Sequence, residues 1–243
     1  MRVPIIALLI HILFLACNDS TIRIADTGHY NILRDTQLRN IYIDTFAYTR
    51  NVHREWSDSN SFLSLVSAKY RNIGHIGVIN PLIYAMYEPF IDTTQIEASK
   101  FWFRVTVDPV FRTPYMLIAE MENGQTKITL KTTDGRGGYY PGSLDTEVIR
   151  YFGDTTYNSL QEKLHLQNFW SLKQDTSCMV GVDGENWIIE GINQGKYNVI
   201  FRWVPEYCGD KATRDIAKTI LWLKHVTGMD SMYNAVTKLK SGR

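Results

Sequence analysis

Apolar and polar positions follow readable periods from about residue 100 onward and lose them before it. "FWFRVTVD" alternates, with Phe101, Phe103, Val105 and Val107 on one face and Arg104, Thr106 and Asp108 on the other, the period of a half-buried strand. "PYMLIAEMENGQTKITLKT" predicts a hairpin closed at Asn123-Gly124, because a two-residue type I′ turn needs positive φ at both positions. That closure sets Met121 opposite Thr126, Ala119 opposite Ile128 and Leu117 opposite Leu130, so both strands show their apolar sides together. "DTEVIRYF" reads as a fourth strand. Asp154 or Thr155 then caps a helix with Tyr157, Leu160 and Leu164 on one face.

"GENWIIEGINQGKYNVIFRW", residues 184–203, predicts a second hairpin around a three-residue loop, Asn193-Gln194-Gly195. In that register Trp187 and Ile189 share a face with Tyr197, Val199, Phe201 and Trp203. The opposite face carries Asn186, Ile188, Glu190, Asn198, Ile200 and Arg202, with Glu190 opposite Asn198 and Arg202 ~13 Å further along. Asn186, Glu190, Asn198 and Arg202 are thus the candidate binding face. A last helix runs from about Ala212 to Thr227, begun by Asp210 and ended by Gly228, burying Ala212, Ile216, Ile220, Leu223 and Val226. The tail after Met229 either forms a short further helix or frays.

Residues 31–97 lack a clean period. "DTQLRNIYIDTFAYTR" and "HIGVINPLIYAMYEPF" hold strand-like apolar spans, and a helix can start near Asp58 or Ser59. The expected fold class is therefore α+β: an antiparallel sheet of about six strands with two main helices on one face, plus an irregular or partly helical N-terminal layer. The boundaries are 1–16 leader, 17–30 tether, 31–97 N-terminal layer and 98–243 α+β domain.

The leader changes the picture most. Arg2 precedes an apolar run from Val3 to Ala16, shorter than the ~20 residues a membrane-crossing helix needs and suited to a secretory signal. Cys17 follows Ala16 directly, and "LFLAC" resembles the lipobox of bacterial lipoproteins, whose cysteine is lipidated and heads the mature chain. Phe14 and Leu15 are bulkier than that pattern, so a plain cleaved signal with an incidental cysteine stays open. Asn18 after the cysteine points to an outer-membrane address under the enteric sorting rule. Several acyl chains would make the anchorage stable.

Removing residues 1–16 takes away one arginine and no acid, leaving equal numbers of basic and acidic residues. Such a chain has no electrostatic bias toward nucleic acid. Cys178 and Cys208 are the remaining cysteines. Extending both strands of the second hairpin outward brings them within about one pairing step, so a disulfide is expected there.

"GVDGENWIIEGINQGKYNVIFRW" and the helix after it resemble an uncharacterised family of exported bacterial lipoproteins of the Bacteroidota type. The positions that carry the resemblance are Asp183, Gly184, Trp187, Glu190, Gly191, Gly195, Tyr197, Arg202 and Trp203, with the loop Gly137 to Gly142 upstream. The likeness spans roughly residues 101–227 and implies a fold and an address, not catalytic residues.

Chemical motifs are sparse. The histidines at 29, 53, 75, 165 and 225 are scattered, with no zinc spacing and no nucleophile elbow. No metal or cofactor is expected. "DGRGGYYPG" lacks the parts of a phosphate loop and reads as turns. The catalytic candidate is a carboxylate group, Asp183, Glu185 and Glu190, in an envelope hydrolase. Favoured over it is a membrane-anchored binding or assembly module that meets an envelope partner or another copy of itself through Tyr and Trp surfaces.

Overall fold

The computed structural model describes residues 20–24, 81–88, 91, 96–98, 100–139, 141–174, 178 and 183–241. Expectations for the leader, Cys17, the span 35–50 and a helix near Asp58 lie outside them.

The chain is α+β. Its strands are β1 (Ser20–Ile24), β2 (Trp102–Pro109), β3 (Tyr115–Glu122), β4 (Gln125–Thr133), β5 (Leu144–Phe152), β6 (Glu185–Asn193) and β7 (Lys196–Trp203). They form one antiparallel sheet in the order β1-β5-β4-β3-β2-β6-β7. The helices are α1 (Pro81–Ala85), α2 (Asp154–Leu166), α3 (Lys211–Val226) and α4 (Met229–Ser241). β1 lies inside the span expected to be a tether and adds an edge strand to β5, Ser20 opposite Arg150 and Ile24 opposite Thr146.

Both faces of the sheet are covered. On one, Phe103, Val105, Leu117, Ile128, Leu130, Trp187, Ile189 and Ile200 pack under Leu160 and Leu164 of α2 and Ile216, Ile220 and Leu223 of α3. On the other, Trp102, Met116, Ile118, Ile188 and Val199 pack under Leu82, Ile83, Met86 and Ile91. "PLIYAM" is therefore a helical turn where its apolar run suggests a strand. Pro81 suits a first helical position, and Leu82 and Met86 fall one turn apart on the packed side.

The first hairpin has the expected register, Met121 opposite Thr126, Ala119 opposite Ile128 and Leu117 opposite Leu130, with Asn123 and Gly124 at φ 51° and 76°. The second hairpin differs by one residue. Its turn is the two-residue Gln194-Gly195, at φ 49° and 73°, which pairs Asn193 with Lys196, Ile189 with Ile200 and Trp187 with Arg202. A one-residue slip turns every β7 side chain over. Asn198, Ile200 and Arg202 consequently face the helices, while Val199 packs in the opposite layer.

The helices keep their expected places with small changes. Gly153 precedes α2 without a side-chain cap, so Asp154 sits inside its first turn. Asp210 does cap α3, accepting from the Ala212 and Thr213 amides. Val226 is 45% exposed rather than core, and the tail beyond Gly228 is helical as α4. Cys178 and Cys208 form a disulfide with Cα atoms 4.8 Å apart, tying the chain before β6 to the chain after β7.

Candidate functional site

The four residues expected as one binding face are not one. Asn186 is exposed near the start of β6. Glu190 is fully buried under the N-terminal layer, where Arg104 Nη2 donates to its Oε2 at 2.7 Å and Tyr197 donates to its Oε1 at 2.8 Å. Asn198 and Arg202 point the other way. Asn198 donates to the Phe169 carbonyl, and Arg202 donates to Thr213 Oγ1 and to the carbonyls of Lys173 and Gln174. These three side chains hold layers together; the turn length, invisible to simple alternation, is what separates them.

Concave chemistry lies at one end of the sheet. Segments remote in sequence meet there: the β2–β3 turn, the start of β6, the end of β7, the last turns of α3, and α4. They enclose a cavity of about 620 Å³, within the ~300–1,000 Å³ of small-ligand pockets.

Glu185 opens β6 and is held on both oxygens. Trp187 Nε1 donates to Oε1 at 2.9 Å, and Arg112 Nη2 from the β2–β3 turn donates to Oε2 at 3.0 Å. Gly184 precedes it because the Trp203 ring lies against that backbone; a β-carbon there would sit 2.4 Å from the ring. Beyond Trp203, Val204 adopts left-handed φ 40°, ψ 64°, a conformation that costs a β-branched residue on the order of 1–3 kcal/mol. Its amide donates to the Glu185 carbonyl at 2.9 Å. This strained corner throws Pro205–Tyr207 into a 3-10 turn that brings Glu206 to the cavity.

Burial raises the Glu206 pKa above the ordinary carboxylate value, and the neighbouring Glu185 charge adds to the rise. Tyr207, the next residue, is 83% exposed at the rim, and the disulfide follows it directly. From α3, Lys224 places its ammonium over the rings of Tyr115 and Tyr233, 4.3 and 4.5 Å from their centroids. That is a cation–π arrangement. Burial holds the lysine below its ordinary pKa, against the pull of Glu185. Burial, followed by Glu185, pushes the Tyr115 phenol well above its usual value, and Tyr233 is raised to about 12, chiefly by burial.

Of the three carboxylates read from the sequence, Asp183 and Glu185 line this cavity and Glu190 does not. Arg112, Tyr115, Glu206, Lys224 and Tyr233 join them without any local motif. One sequence signal was available for Glu206: the disulfide places "VPEYC" beside the hairpin's open end. Among the described residues, no group of three or more His, Cys, Asp or Glu side chains is placed to hold a metal ion. No protein-family model and no curated protein sequence matches the chain.

Proposed function

We propose that the chain is a lipid-anchored protein of the bacterial envelope that acts as a binding module, taking its ligand in the cavity at the open end of the β6–β7 hairpin. The observation that carries the binding role is the cavity itself, whose wall holds an acidic side chain, Glu206, and a basic one, Lys224, that no ion pair joins among the described residues. The address rests on Arg2, the apolar run to Ala16 and Cys17, together with a disulfide of the kind that persists in oxidising compartments. The exposed rings of Phe111, Tyr139 and Tyr207 are suited to an envelope partner or a second copy.

Intact mass of chain extracted from membranes, with thiol alkylation before and after reduction, tests the address. Loss of residues 1–16, acyl mass on Cys17, and thiols labelled only after reduction are expected. An unlipidated chain with free thiols at Cys178 and Cys208 removes it. The binding role is tested by titrating the detergent-solubilised chain with small polar fragments while following the Trp187 and Trp203 indole NMR signals. Shifts that Glu206→Arg abolishes are expected; silence from every fragment sinks the role.

A second reading, an envelope hydrolase, is favoured by one observation. Glu206 sits with a raised pKa beside a carboxylate, Glu185, that is paired with Arg112. Two carboxyls in different environments are the acid and base pattern of glycoside hydrolysis. Turnover of chromogenic glycosides that disappears in Glu206→Gln, at a melting temperature no lower than the parent's, would move the assignment to that class.

A further inference from the structure

Some polar groups of the cavity wall are already held by the protein. Glu185 has both oxygens occupied, and the Tyr233 hydroxyl donates to the Thr113 carbonyl at 2.9 Å. Three other groups of the wall bear on what it can hold. The Glu206 carboxylate and the Lys224 ammonium have no hydrogen bond or ion pair among the described residues. The Tyr115 hydroxyl has none either, although that residue is only 5% exposed and lines the cavity. Glu206 and Lys224 are half-buried and open to solvent, so a ligand that displaces that solvent has to offer each of them a partner of its own.

Their signs restrict what can fill it. A plain anion would meet Lys224 but also Glu206, Glu185 and Asp183. A plain cation would meet the carboxylates but also Lys224 and Arg112. Glu206 comes from the 3-10 turn after β7 and Lys224 from α3, and they do not pair with each other. A ligand that carries both an ammonium and a carboxylate offers each of them a partner of opposite charge.

We infer that the cavity takes a small zwitterion, an amino acid or a short peptide, with its ammonium on Glu206 and its carboxylate on Lys224 and the Tyr115 hydroxyl. This inference rests on the binding role proposed above and supplies its ligand class. The exposed Tyr207 ring at the rim offers an apolar face for a side chain. The volume, about 620 Å³, favours the short peptide over the single amino acid.

The test uses four probes on the whole chain in detergent: phenylalanyl-alanine, its N-acetyl derivative, its C-terminal amide, and free phenylalanine. Calorimetry is expected to show the unmodified dipeptide binding at least about tenfold more tightly than either capped form, since hydrogen bonds to charged groups are worth ~1.5–3 kcal/mol. Glu206→Gln should abolish the penalty for acetylation alone, and Lys224→Met the penalty for amidation alone, each at a melting temperature no lower than that of the parent. Free phenylalanine binding more tightly than the dipeptide would assign the site to amino acids. Equal binding of the capped and uncapped dipeptides overturns the zwitterion and leaves the binding role standing. Silence from all four probes also overturns it; the binding role itself falls only if the polar fragments are silent as well.

Discussion

Two glutamates show how position decides what one residue type does. Glu190 is fully buried, and its oxygens are taken by Arg104 and Tyr197. Removing one partner of such a pair strands the other charge, so Glu190→Ala should destabilise the fold by about 3–5 kcal/mol in denaturant melts. The apolar double replacement Arg104→Met with Glu190→Leu should recover most of that loss; a double variant no better than the single would mean the pair stabilises outright. Glu206 is the opposite case, half-buried with a raised pKa. The folded state then holds its proton more tightly than the unfolded chain, whose value lies near 4.5. Its stabilising contribution is full below that value and is lost as pH rises through the higher folded value. Glu206→Gln should therefore flatten this part of the stability profile and raise stability at neutral pH relative to the parent. A profile of unchanged slope would show that Glu206 is not the group responsible. The disulfide pointed to where Glu206 lies, but neither fate was legible from the residue's neighbours in the sequence, because the groups that surround each side chain come from other strands and helices.

At the scale of elements, legibility depended on how many faces of a strand are covered. The Asn123-Gly124 hairpin was readable because its turn residues specify one closure and the apolar positions agree with it. In β7 the alternation of Tyr197, Val199, Phe201 and Trp203 pointed to a core face, yet Phe201 is 38% exposed while Ile200 and Arg202 are buried. With helices on one side and Leu82, Ile83, Met86 and Ile91 on the other, both parities of β7 meet protein, and hydrophobic alternation no longer marks the core. Gln194 gave no turn signal as strong as asparagine would. The disulfide was legible even so, since it sits beyond the strand ends where a one-residue slip matters little. It closes a sequence separation of 30 residues, worth about 3–4 kcal/mol in the chain-entropy account. Replacing Cys178 and Cys208 together by serine should cost roughly that much in urea melts. Because Cys208 directly follows the turn that carries Glu206 and Tyr207, the double variant should also weaken dipeptide binding at temperatures where it remains folded.

The whole molecule gives the cavity a direction. Val107 pairs with Tyr115 and with Trp187, Tyr115 pairs with Thr132, Thr132 with Thr146, and Thr146 with Ile24. The cavity residues Tyr115, Glu185 and Trp203 therefore lie at the same end of the sheet as Ile24. Ser20 lies at the other end, level with Arg150 and, across β4, with Ile128. Ser20 lies three positions after Cys17, a reach of at most ~11 Å. On the proposed lipid anchor, the bilayer would then face the end bearing the Asn123-Gly124 and Gln194-Gly195 turns, and the cavity would open away from it. Single fluorophores on Lys196→Cys, beside the second turn, and on Arg136→Cys, whose guanidinium lies 5.1 Å from the Phe111 ring in the β2–β3 turn, would report the two ends. In vesicles doped with a headgroup quencher, the probe at position 196 should be quenched strongly and the probe at 136 weakly. The reverse order would turn the cavity toward the membrane and make lipid-borne groups its natural ligands. Equal quenching would mean that the short connection to Cys17 does not orient the domain at all.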